Sequence, residues 1–116
     1  KNYITTRKAT TDNYTILASH SHSNEATKKF LTRFPRSGIL TQSSSLKFVR
    51  LAEGTADIYP RLGPTYEWDI AAGHAILEAA GGIVYDNLGK PFKYKKDSYL
   101  NGHFIALGDK TIPVRL

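Results

Sequence analysis

Short apolar runs alternate along this chain with stretches of helical periodicity, and that alternation limits what it can fold into more than any other feature. "YTILAS", Tyr14 to Ser19, follows the turn-prone Asp12 and Asn13 and reads as a buried strand. Ser23 and Asn24 can cap a helix in which Ala26, Phe30 and Phe34 recur every four residues until Pro35 stops it. "GILTQ", Gly38 to Gln42, is a second strand. The serines at 43 to 45 then open a helix whose Leu46, Val49 and Ala52 share a face before Gly54 ends it. "TADIYPR", Thr55 to Arg61, alternates as a half-buried strand does, and "LGPT" turns the chain into a long helix from about Tyr66. Trp68, Ala72, Ala75, Ile76 and Ala79 form one stripe of that helix, with small residues suited to close approach to a sheet, and Gly81 and Gly82 close it. "GIVYD" and "HFIALG" supply two more strands, with the turn "NLGKP" following the first. Strands separated by helices predict an α/β layered domain, a mixed sheet flanked by helices.

At 116 residues the chain is expected to form a single domain, 1–116, with 41% apolar and 22% charged residues, an ordinary globular balance. The formal charge of +6 favours anionic partners: phosphates, nucleotides, nucleic acid or acidic membrane surfaces. The absence of cysteine excludes disulfides and thiolate metal sites. No apolar run approaches the roughly 18 residues of a transmembrane helix, and "KNYITTRKATTD" lacks the apolar centre of a signal peptide. No methionine occurs anywhere, which points to a processed product or an excerpt of a longer chain. "KPFKYKK", Lys90 to Lys96, is the densest basic run and reads as a solvated hairpin edge.

Four groups of residues could carry chemistry. Asp69 heads the long helix, where unpaired N–H groups and the macrodipole favour a negative charge; it is either a helix-start acid or a ligand for a hard cation such as Mg²⁺. "QSSSLK", Gln42 to Lys47, places amides, hydroxyls and an ammonium at a strand-to-helix junction, as a phosphate requires, but a serine cap followed by a surface lysine has the same pattern. Neither a P-loop nor a G-x-G-x-x-G fingerprint occurs. His20 and His22 project from one face of an extended segment; a zinc site would need His74 or His103 as well, and nothing in the spacing brings either near, so a phosphate contact is the better reading. His74 reads as a packed helix residue. Arg61, at a strand exit before the Asp69 helix, is either an anion clamp or an exposed charge.

Taken together, "SHSHSNE", "SSSLKFVRLAEGTADIYPRLGPT" and "WDIAAGHAILEAAGG" resemble the carboxy-terminal half of the CysQ-type 3'(2'),5'-bisphosphate nucleotidases. These belong to the Mg²⁺-dependent, lithium-sensitive phosphatase superfamily that includes inositol monophosphatase. The resemblance runs from about Tyr14 to Gly108 and implies the carboxy-terminal half of the inositol monophosphatase-like sugar phosphatase fold. It implies that Asp69 is a catalytic ligand of a Mg²⁺ cluster and that His22, Ser44, Lys47 and Arg61 contact phosphate or nucleotide. Glu53 and Asp57 lie in matching sequence without an implied role. Ser43 stands where the family usually has glycine, and the upstream glutamate and D-P-I-D-G-T motif, which supply the other metal ligands, are absent from these 116 residues.

The implied function is hydrolysis of the 3'-phosphate of adenosine 3',5'-bisphosphate (PAP) or its sulfated relative (PAPS), in sulfur assimilation and nucleotide recycling. The implied place is cytoplasmic, including the cytoplasmic face of the inner membrane with peripheral contact. This chain would be the substrate-binding half, inactive alone, and its partners the nucleotide and the missing amino-terminal half rather than nucleic acid. The alternatives are a phosphatase related to inositol monophosphatase or fructose bisphosphatase, and a non-catalytic nucleotide- or nucleic-acid-binding domain. Against the last, the aromatics fall mostly in strands and helix stripes, not interleaved with Lys and Arg as stacking platforms would be.

Overall fold

The computed structural model describes residues 4–8, 13–18, 25–34, 37–41, 44–62, 65–86, 88–93, 100–101, 103–114 and 116, with the backbone path alone for 44, 45, 65–69, 100 and 101. The elements run β1 (Thr15–Ala18), α1 (Glu25–Leu31), β2 (Gly38–Thr41), α2 (Ser44–Ala52), β3 (Ile58–Arg61), β4 (Thr65–Tyr66), α3 (Glu67–Ala80), β5 (Ile83–Asp86), β6 (Leu100–Asn101) and β7 (Phe104–Leu107). Five strands form one sheet in the order β2-β1-β3-β7-β5. β1 pairs parallel with β2 and β3, while β7 pairs antiparallel with β3 and β5, so the sheet is mixed as the alternation predicts. A two-stranded pairing of β4 with β6 was not legible in the sequence.

Because side chains alternate across a strand, each central strand feeds two cores. Leu17, Tyr59, Val84, Phe104 and Ala106 face α2 and α3, where they pack with Phe48, Leu51, Ile70 and Leu77. Ile16, Ile58, Ile105 and Leu107 face the other way, against Phe30 of α1 and against Ile112 and Val114 of the carboxy-terminal tail. The result is three layers: helices α2 and α3, the sheet, then α1 with the tail.

Both helices of the first layer are phased differently from the sequence reading. In α2 the buried residues are Lys47, Phe48, Leu51 and Ala52, whereas Leu46 is 42% exposed. In α3 the sheet-facing residues are Ile70, His74, Leu77 and Ala80, while Ala72, Ala75, Ile76 and Ala79 of the expected stripe are exposed. α3 is apolar on most sides, so composition does not reveal which face turns inward. Large residues decide the phase: Ile70 and Leu77 fill the core, leaving the alanines outside. The expected partner of that stripe, Trp68, has a side chain outside the described residues. α1 ends at Leu31, with Thr32 and Arg33 in a turn, and its predicted caps Ser23 and Asn24 also lie outside the described residues.

The end of α3 shows why two glycines follow it. Gly81 adopts φ 111°, its N–H donates to Glu78 O at 3.1 Å and the Gly82 N–H donates to Leu77 O at 2.9 Å, the paired bonds of a Schellman ending. A side chain at Gly82 would also meet Leu107 O at 2.6 Å, so this glycine lets α3 turn directly back into the sheet.

Asp57, given no chemical role by the sequence, is 2% exposed and structural. Arg7 grips it in a two-pronged contact, Nε donating to Oδ1 at 2.9 Å and Nη2 to Oδ2 at 2.8 Å, and the Thr15 N–H donates to Oδ2 at 2.8 Å. The carboxylate thereby joins the amino-terminal segment to the start of β1.

Candidate functional site

Parallel pairing brings the carboxyl ends of β1, β2 and β3 to one edge of the sheet, where α/β proteins assemble their ligand sites. β2 leads to the first turn of α2 at Ser44, β3 ends at Arg61, and α3 begins at Glu67 with Asp69 as its third residue. The amino termini of α2 and α3 therefore both open toward this edge, with N–H groups available to an anion.

Lys47, one turn into α2, is the least expected residue here. Sequence alone allowed a surface lysine, yet it is only 1% exposed. Its Nζ lies 5.0 Å from the centroid of the Tyr59 ring, within cation–π reach. Burial, followed by the repulsion of Arg61, lowers its pKa from 10.5 to about 8. Tyr59 and Arg61 are two apart on β3 and so share its α2-facing side. Burial raises the Tyr59 hydroxyl above its ordinary pKa, while the charge of Arg61 and a hydrogen bond from it act in the opposite sense. Lys47 thus lies over Tyr59 with the charge of Arg61 close enough to repel it.

The floor beneath them is aromatic. Tyr59 meets Phe48 edge-on at 5.4 Å and Phe104 edge-on at 5.5 Å; Phe92 continues the cluster from Phe104 at 5.7 Å, and His74 from Phe92 at 6.1 Å. His74 is buried, as a packed helix residue should be, and burial lowers its pKa against the opposing pull of Glu78, whose Oε2 lies 3.5 Å from Nε2.

Of the predicted site residues, the structure brings Lys47 and Arg61 together. It places the backbone of Ser44 at the first position of α2 and that of Asp69 in the first turn of α3, at the same sheet edge; their side chains lie outside the described residues. His22 and His20 lie outside them altogether, and His103 is exposed at the start of β7. Among the described residues no three His, Asp or Glu side chains come together as metal ligands. Tyr59 was missed by the sequence reading, although "Y-P-R" carried the signal: residues two apart on a strand share a face.

Comparison with known proteins gives this geometry its context. The model of the inositol monophosphatase family matches residues 2–113. The chain belongs to that family. Within the inositol monophosphatase family it is similar to the 3'(2'),5'-bisphosphate nucleotidase CysQ of Escherichia coli (strain K12), 44% identical over 90 residues, which are 77% of this chain and 37% of the relative. The CysQ of Buchnera aphidicola is 46% identical over 94 residues, 78% of this chain and 36% of that protein. Among solved structures, CysQ from Bacteroides thetaiotaomicron, a bacterial member of the inositol monophosphatase family, superposes with a TM-score of 0.77 at 37% identity, covering 90% of this chain and 40% of that one. An inositol monophosphatase from Zymomonas mobilis gives a TM-score of 0.74 at 25% identity, covering 92% of this chain and 42% of that one. The fold is therefore part of the inositol monophosphatase fold, and the chain spans about two fifths of the length of the CysQ relatives it matches. Among the described residues no helix is long and apolar enough to cross a membrane.

Proposed function

We propose that this chain is the substrate-binding, carboxy-terminal half of a Mg²⁺-dependent 3'(2'),5'-bisphosphate nucleotidase that removes the 3'-phosphate of adenosine 3',5'-bisphosphate or of its sulfated relative. The observation that carries this reading is the buried Lys47 held with Arg61 at the carboxyl edge of the sheet, in a chain 44% identical to a bisphosphate nucleotidase over 90 residues. Two neighbouring cations at that edge suit a dianionic phosphate: Arg61 can donate through two N–H groups and Lys47 adds a point charge. In this reading Ser44 and His22 donate further hydrogen bonds to phosphate or nucleotide. Asp69, at a helix start that favours an ionised carboxylate, is one ligand of a magnesium cluster whose other ligands lie outside this sequence. Magnesium, when bound, supplies charge neutralisation at phosphoryl oxygens and activation of water. The residues of this chain do the positioning and screen the phosphate charge.

The single unit 1–116 is inactive alone in this reading. Supporting that, the exposed flank of α3 is apolar, with Ile76 43% exposed beside Ala72, Ala75 and Ala79, and the chain spans only two fifths of its relatives.

The test is phosphate release by the full-length protein from adenosine 3',5'-bisphosphate and from inositol phosphate, with and without Mg²⁺. The reading expects Mg²⁺-dependent preference for the nucleotide and its loss, by roughly 100-fold or more, in Asp69→Ala. Preference for inositol phosphate establishes instead an inositol monophosphatase-like enzyme. No phosphatase activity, together with tight and steeply salt-dependent binding of single-stranded DNA, establishes a binding domain.

A further inference from the structure

We propose that Tyr59 is a positioning residue that holds Lys47 beside Arg61 as one two-cation clamp, its ring beneath the ammonium and its strand carrying the guanidinium on the same face. The role of the clamp in holding phosphate rests on the phosphate reading above; the role of Tyr59 in building it rests on geometry.

Two like charges at one site repel, and Lys47 at 1% exposure has lost nearly all of its hydration. Something must replace that water if the ammonium is to remain there charged. The face of an aromatic ring carries the negative part of its quadrupole, and Nζ stands 5.0 Å from the centroid of Tyr59. Arg61, two residues further along β3, lies on the same face of the strand. Phenylalanine would offer the same ring face and leucine none, so the aromatic ring is what the ammonium meets here. The ring is also held at fixed orientation: Phe48 packs against it at an interplanar angle of 79° and Phe104 at 88°. Since Phe48 adjoins Lys47 on α2 and Phe104 is paired across the sheet with Arg61, the supports of the ring come from the elements that carry the cations or flank them.

The experiment compares Tyr59→Phe and Tyr59→Leu with the unaltered protein in two measurements. One is the titration of the Lys47 ammonium by NMR, which needs no ligand; the other is affinity for adenosine 3',5'-bisphosphate and for inorganic phosphate at pH 7. Tyr59→Phe, which keeps the ring face, is expected to leave both the Lys47 titration and nucleotide affinity near their wild-type values. Tyr59→Leu is expected to move the Lys47 titration downward and weaken binding roughly tenfold. A tyrosine that merely fills core space would lower thermal stability without moving the Lys47 titration in folded Tyr59→Leu, and that result overturns the proposal. If Tyr59→Leu does not fold, Phe48→Leu, which removes one support of the ring, replaces it, and an unmoved Lys47 titration in it overturns the proposal. Wild-type protein that ignores both phosphate probes removes the phosphate reading, while the Lys47 titration still judges Tyr59.

Discussion

The ring of Phe48 occupies the space that any side chain at Gly73 would need. A Cβ built at Gly73 would lie 2.6 Å from Phe48 Cδ2 and 2.9 Å from Phe48 Cβ and Cγ. This contact sets how closely α2 approaches α3, and therefore how Lys47, adjoining Phe48, stands relative to Asp69, one turn before Gly73. The glycine of "W-D-I-A-A-G" thus has a packing reason that the sequence did not disclose.

Gly73→Ala is accordingly expected to destabilise the fold by about 1–3 kcal/mol through overpacking. Urea unfolding checks this. In a double-mutant cycle, Phe48→Leu in the Gly73→Ala background should cost less than it does alone, because the smaller side chain makes room for the methyl group.

The depressed pKa of Lys47 makes stability depend on pH in a defined window. Between about 8 and 10.5 the unfolded chain holds the Lys47 proton and the folded chain does not, so stability rises with pH from about 8 upward. The slope contributed is at most about 1.4 kcal/mol per pH unit. Tyr59, held above its ordinary pKa of 10.0 by burial, works against this above pH 10. Denaturant titrations between pH 8 and 10 should show the rise, and Lys47→Met should flatten it.

Anion affinity should move in the opposite sense. Raising the pH above about 8 removes the Lys47 charge that the proposed phosphate site uses, so affinity for adenosine 3',5'-bisphosphate should fall through that range. Calorimetry at pH 7 and pH 9 measures the drop. Lys47→Met should bind weakly at both values and lose most of the difference between them.

Arg7→Ala leaves the buried carboxylate of Asp57 with the Thr15 N–H but without its guanidinium. Since the Arg7 side chain is 42% exposed, water can replace part of what is lost, and a cost of about 1–3 kcal/mol is expected. Thermal unfolding reads it. Asp57→Ala, which removes the acceptor from Thr15 as well, should cost at least as much.

The strand and helix order was legible because it rests on local rules. Runs such as "YTILAS" and "HFIALG" are too short and too apolar to be anything but buried strands, and Gly54 and Gly81 end helices because they adopt φ 84° and 111°. The motif around Asp69 was legible as a resemblance, and family membership agrees with it. Helix phase was not legible. An alanine-rich helix such as α3 looks much the same from several sides, and only contact with Phe48 and Phe104 of the core decides which side turns inward.

The amino-acid order by itself determined which segments become strands and helices, and that anionic chemistry suits the residues between them, because propensity, turn residues and charge act over a few neighbouring positions. Only the tertiary structure decided that Lys47 is buried and that it lies over Tyr59 near the charge of Arg61. Lys47 and Tyr59 are twelve positions apart, and a side chain's solvation depends on what the folded chain places against it, which no local pattern contains.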